Sequence, residues 1–219
     1  MKNQTPPVST EQYAKLEQVV REIVRKGKIS GSEFQHVLGH PDFVKELEMN
    51  INNKVAENRQ KLAFTERPAW KTIQTGTHKS VNDLRQAVID GDNRIGDWGG
   101  DILKRIKVAN EETEIELFQA TVAELGFTNG ASWSDIKAKL DEFGFGICPA
   151  EVGPQLRLQY TDQPMDEWIW VVMDPVAGSD GVPRVFFVER NSLGRWLRGF
   201  RGRPDDVLGG GYRLVFRRK

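Results

Sequence analysis

Cysteine, histidine and net charge are all scarce in this chain, and each scarcity narrows what it can be. A single cysteine, Cys148, in 219 residues excludes an internal disulfide and predicts a reducing compartment. Three histidines, His36, His40 and His78, leave few bases for a nucleophilic thiol. No run approaches the roughly 20 apolar residues that span a bilayer. The segment Met1–Pro7 lacks the apolar stretch of a secretory signal, so a cytoplasmic protein is expected. Lysine plus arginine and aspartate plus glutamate each number 31, so the formal net charge is zero.

That zero conceals segregation. Residues 1–66 carry a balance of +1, residues 67–183 of −8 and residues 184–219 of +7. Either the acidic middle and basic end neutralise each other in one folded body, or the basic end forms a face that meets phosphate.

Periodicity and turn chemistry divide the chain. Residues 1–8 read as a disordered leader. Ser9 with Gln12 and Ser30 with Glu33 offer capping boxes for helices over 10–26 and 30–39. Pro41 suits the first turn of a third helix reaching about Phe64. Residues 9–66 therefore form a helical region, and residues 67–219 an α+β domain. Within the latter, strands are expected over 70–75 and 113–122, and helices over 80–90, from Asp97 onward, and from Ser132 to Gly144. Five further strands, 156–160, 168–173, 184–190, 195–200 and 212–217, are separated by turn residues. Short sequential connections favour an antiparallel meander at the C-terminal end.

The densest chemistry lies in the run Ile147–Tyr160, where Glu151 stands between Pro149 and Pro154. Glu151, Gln155, Arg157 and Tyr160 are the candidate ligand-binding residues, on a stiffened loop entering a strand. Their alternative is an ion pair between Glu151 and Arg157 that locks the loop to the sheet. Cys148, His78 and Glu151 are the candidate catalytic residues, set against a small buried cysteine. The HxxxH spacing of His36 and His40 is broken by Gly39 and Pro41, so no metal site is assigned. Asp97 reads as a helix cap; Glu112, Glu114 and Glu116 read as one solvated strand face. The glycines at 209–211 lack the lysine of a phosphate loop and read as a hairpin turn.

At the basic end, Arg195, Arg198, Arg201, Arg203, Arg217 and Arg218 interleave with Trp196 and Phe200. Arginine forks grip phosphate and aromatic faces stack bases, so these six are the candidate nucleic-acid contacts. Against that reading, Trp196 packs in the core and the arginines bond Asp205, Asp206 or the acidic middle.

From Trp70 onward the chain resembles a family of bacterial hypothetical proteins. The resemblance rests on Ile95–Trp98 with Asp101–Leu103, on Glu112–Glu114, on Val122–Phe127 and, most firmly, on Cys148–Tyr160. Phe187–Glu189 and Gly202–Asp205 extend it. It covers about two thirds of the chain and implies domain limits without an activity; at Gly99-Gly100 the family pattern has less flexible residues.

The sequence therefore predicts an α+β, non-enzymatic cytoplasmic binding module without a cofactor, with nucleic acid or protein as partner. A small hydrolase or transferase built on Cys148, Glu151 and Arg157 is the alternative. An oligomeric scaffold assembled through the N-terminal helices is the second.

Overall fold

A computed structural model describes residues 41–219 continuously, and before them residues 18, 22, 25, 26, 30, 32, 33 and 36. The expected helices over 10–26 and 30–39, and His40 of the HxxxH pair, lie outside the described stretch. The chain divides into two units, residues 1–62 and 63–219. Helix α1 (Pro41–Thr65) begins in the first and its last turn belongs to the second. No helix among the described residues is long and apolar enough to cross a membrane.

The second unit is built on one mixed sheet. Its strands in chain order are β1 (Lys71–Thr75), β2 (Asn93–Ile95), β3 (Thr113–Thr121), β4 (Ala131–Ser132), β5 (Phe145–Gly146), β6 (Trp168–Val171), β7 (Val176–Ala177), β8 (Pro183–Asn191), β9 (Gly194–Arg201), β10 (Val207–Leu208) and β11 (Arg213–Arg218). The main sheet runs β1-β3-β11-β6-β8-β9-β2, with β5 joining β11, β7 joining β8, and β4 and β10 pairing separately. The pairs β11/β6 and β9/β2 are parallel. The sheet is thus mixed, and the expected antiparallel meander is corrected. Consecutive strands pair as hairpins at β8/β9 and, briefly, at β7/β8, while β11 enters between β3 and β6 instead of adding at an edge.

The helices follow their caps. Ser80 accepts the Asp83 amide at the start of α2 (Val81–Asp90), and Ser132 does the same for Asp135 in α4 (Trp133–Glu142). Helix α3 (Asp97–Leu103) has Gly96 at its N-cap, so Asp97 is its first residue and not its cap. The expected strand over 156–160 is instead helix α5 (Val152–Gln159). Alternation over five residues also places Val152 and Leu156, four apart, on one helical face, and both are fully buried. Pro154 falls in the first turn, where its missing N–H costs no helical bond.

One sheet face buries Val188, Phe186 and Leu197 beside α5. On the β3/β11 side, Phe118, Phe145 and Phe216 meet at centroid distances of 5.0 Å, and Phe64 and Phe143 extend the cluster. Each such ring contributes roughly 1.5–3 kcal/mol by leaving water.

Candidate functional site

The run that carries most polar groups turns out to be an anchor. Glu151, Gln155 and Gln159 stand four residues apart on one face of α5. Glu151 Oε1 accepts from the Gly76 amide at 2.8 Å and from Gln155 Nε2 at 3.0 Å. Its Oε2 accepts from the Ala109 amide at 2.7 Å. Gln159 then bonds both backbone groups of Gln74, accepting its N–H and donating to its carbonyl. β1 is an edge strand, so this amide occupies edge groups that would otherwise stay open. Glu151 and Gln155 are sealed from solvent. His78 reaches this ladder: its Nδ1 lies 2.9 Å from Thr77 Oγ1 and 3.4 Å from Gln155 Nε2.

Arg157 does not pair with Glu151. Its guanidinium, wholly buried, donates to Gln163 Oε1 and to the carbonyls of Glu189 and Tyr160. Burial, then the neighbouring Arg195 cation, lowers its pKa to about 10. The cation therefore remains charged at neutral pH and folds the 160–163 loop around itself. Tyr160 donates to Glu167 Oε2 at 2.7 Å; burial and that bond push the phenol well above its usual range. Both sequence readings of a Glu151–Arg157 unit, as ligand clamp and as ion pair, give way to two separate loop anchors.

Cys148 is buried, its Sγ 4.0 Å from the Val215 carbonyl, and burial pushes the thiol up to about 12. Among the described residues no contact joins it to His78, whose partners are Thr77 and Gln155. The thiol, His78 and Glu151 do not converge.

The six candidate arginines disperse. Arg195 bonds the carbonyls of Thr161 and Gly91. Arg198 forms an ion pair with Glu189 and lies over Trp196 at 4.3 Å. Arg217 donates to the Ile147 carbonyl, and Arg218 to those of Thr65 and Arg67 while covering Phe118. Trp196 is only half-buried, a correction to its expected place in the core. It bonds Asn191 Oδ1 and stands between the cations of Arg94 and Arg198. Of these six, Arg201 and Arg203 are the two that are exposed with no guanidinium partner among the described residues.

These two arginines line a cleft of about 420 Å³ with Trp98, Asp180, Arg184 and Phe200. Arg184 stacks 3.6 Å from the Trp98 ring centre and grips both oxygens of Asp180. That fork holds the Asp180 carboxyl well below the usual carboxylate range. Two glycines set Trp98 in place: a Cβ on Gly99 would lie 2.7 Å from the Leu197 carbonyl, and one on Gly199 would lie 2.8 Å from the Trp98 carbonyl. Glycine at 99 thus weakens α3 by propensity yet permits its contact with β9.

Sequence reasoning missed the neighbouring surface. Strand register puts Trp168 and Trp170 of β6 beside Phe187 of β8, and Phe200 of β9 on the same face. Trp170 stacks on Phe187 at 4.9 Å, and Trp170 meets Tyr212 at 4.6 Å and Phe200 at 6.1 Å. Trp168 is 47% exposed, Phe200 39% and Tyr212 37%, so these three rings form an exposed aromatic patch resting on Trp170 and Phe187, which are buried. The signal available was the W-x-W alternation at 168–170, legible only with the face of β6 known. Compared with protein-family models, curated proteins and solved structures, the chain matches none.

Proposed function

We propose that this protein is a binding module whose open aromatic sheet face stacks the bases of single-stranded nucleic acid. The observation that carries the reading is the ring cluster of one sheet face, in which exposed Trp168, Phe200 and Tyr212 rest on buried Trp170 and Phe187, with Arg201 and Arg203 lining the cleft that adjoins Phe200. Every base presents a π-face, so such a platform binds strands with little sequence preference. Arginines that are not consumed by internal carboxylates supply the phosphate contacts. The basic C-terminal segment contributes chiefly through these two residues, since Arg217 and Arg218 each spend part of their guanidinium on backbone carbonyls.

Fluorescence anisotropy with labelled oligo(dT) and oligo(U) tests the reading. Binding is expected at low salt with quenching of tryptophan emission. Trp168→Ala should weaken it by about 1–3 kcal/mol, the usual worth of one stacked base. No binding at low salt, or full affinity in the Trp168→Ala protein, would sink it. A second reading, a protein partner on the same face, is favoured by the Asp166 and Glu167 carboxylates lining the cleft at Trp168 and Tyr212. Trp, Tyr and Arg dominate such interfaces. Absence of any strand binding, with self-association lost in Trp168→Ala, would favour that alternative.

A further inference from the structure

We infer that the cleft between Trp98 and Phe200 is a nucleotide pocket: a base stacks on the Trp98 ring and its phosphate is held by Arg201 and Arg203. The ligand class rests on the nucleic-acid reading; the cleft shares Phe200, Arg201 and Arg203 with that surface, while Trp98 belongs to the cleft and not to the Trp168 patch. Three features support a built pocket. The cleft, about 420 Å³, falls in the roughly 300–1,000 Å³ range of small-molecule sites. Trp98 is 45% exposed although one face is already covered by Arg184 and its backbone is seated against Gly199. A large apolar ring is thus fixed in water rather than packed away, at the entropic cost of holding it there. The charges are also sorted: Asp180 is neutralised by the bidentate grip of Arg184, while Arg201 and Arg203 remain available to an anion. The Arg184 cation on one face of the indole draws on its π-density and keeps the ring from turning. A nucleoside monophosphate supplies both a flat π-face and a dianionic phosphate within one ligand.

The test is titration of the full chain with AMP, adenosine and inorganic phosphate, followed by tryptophan fluorescence and by amide shifts at Trp98 and Arg203. AMP is expected to bind with a Kd of about 1 mM or tighter. Adenosine should bind at least about fivefold more weakly, because the two guanidiniums read the phosphate. Trp98→Leu should lose AMP binding and Trp98→Phe should keep it, a contrast that a folding defect would not give. Arg201→Gln with Arg203→Gln should equalise AMP and adenosine. Equal binding of AMP and adenosine to the unaltered protein, or AMP binding indifferent to Trp98→Leu, overturns the inference. AMP binding without any oligonucleotide binding would remove only the strand reading, and oligonucleotide binding without AMP binding would remove only the pocket.

Discussion

At the residue scale, most of the conspicuous polar side chains work as fasteners. Glu151 is satisfied by two backbone amides and one side-chain amide, the two terminal nitrogens of Arg157 donate to carbonyls and Gln163, and Cys148 is held by apolar packing. For Cys148 the burial has a pH consequence. Its folded value of about 12 stands above the ordinary 9.0, so the unfolded chain loses the proton first as pH rises. The thiol's contribution to stability is therefore complete below about pH 9 and declines between pH 9 and 12. The stability margin of the unaltered protein over Cys148→Ala, from urea unfolding at pH 7 and pH 10.5, is expected to shrink at the higher pH. Thiol labelling of the native protein at pH 8 should proceed no faster than unfolding exposes the side chain. Rapid labelling would show an open, reactive thiol instead. That Cys148 would be buried was legible from its type alone; that Glu151 would face amides was not, because those amides lie 75 and 42 residues away in sequence.

At the element scale, what the sequence revealed was whatever its local pattern could specify. The helices expected over 80–90 and from Ser132, and the strands expected over 113–122 and 184–190, depend on near neighbours. Helix α5 was hidden because Gln155-Leu156-Arg157-Leu158-Gln159 fits a two-residue period as well as a helix, and its flanking prolines suggested a loop. Its polar residues are buried because β1 and the segments at Gly76 and Ala109 lie against it. The edge role of Gln159 gives a measurable outcome. Gln159→Ala removes the acceptor for the Gln74 amide and the donor to its carbonyl. Stability should fall by about 1 kcal/mol, the net worth of such bonds. Amide exchange at Gln74 should accelerate selectively while that of β8 stays unchanged. Unchanged Gln74 exchange would show that β1's edge is protected by something else. Helix α3 follows the same logic in reverse: poor helical propensity at Gly99 is overridden by a contact with β9 that tolerates no Cβ at either Gly99 or Gly199.

At the scale of the whole molecule, part of the segregated charge of the sequence is paired across the fold. The −8 middle and +7 end meet as Arg213 with Glu167, Arg184 with Asp180 and Lys219 with Asp141. The sequence could count these charges but not pair them, since partners such as Arg213 and Glu167 meet only once β11 lies beside β6. With a net charge of zero, long-range attraction to a polyanion is weak, so strand binding must come mainly from stacking on the open face. Arg201 and Arg203 are the cations assigned to the strand's phosphates, which fixes the expected salt dependence. Two phosphate contacts on a single strand give a slope of log K against log salt of about −1.4. The Arg201→Gln, Arg203→Gln protein should bind oligo(dT) with a slope near zero yet keep tryptophan quenching, whereas Trp168→Ala should lose affinity at an unchanged slope. A slope of about −4 or steeper in the unaltered protein would require several further cations at the strand, and a stacking-led interface would then be the wrong description.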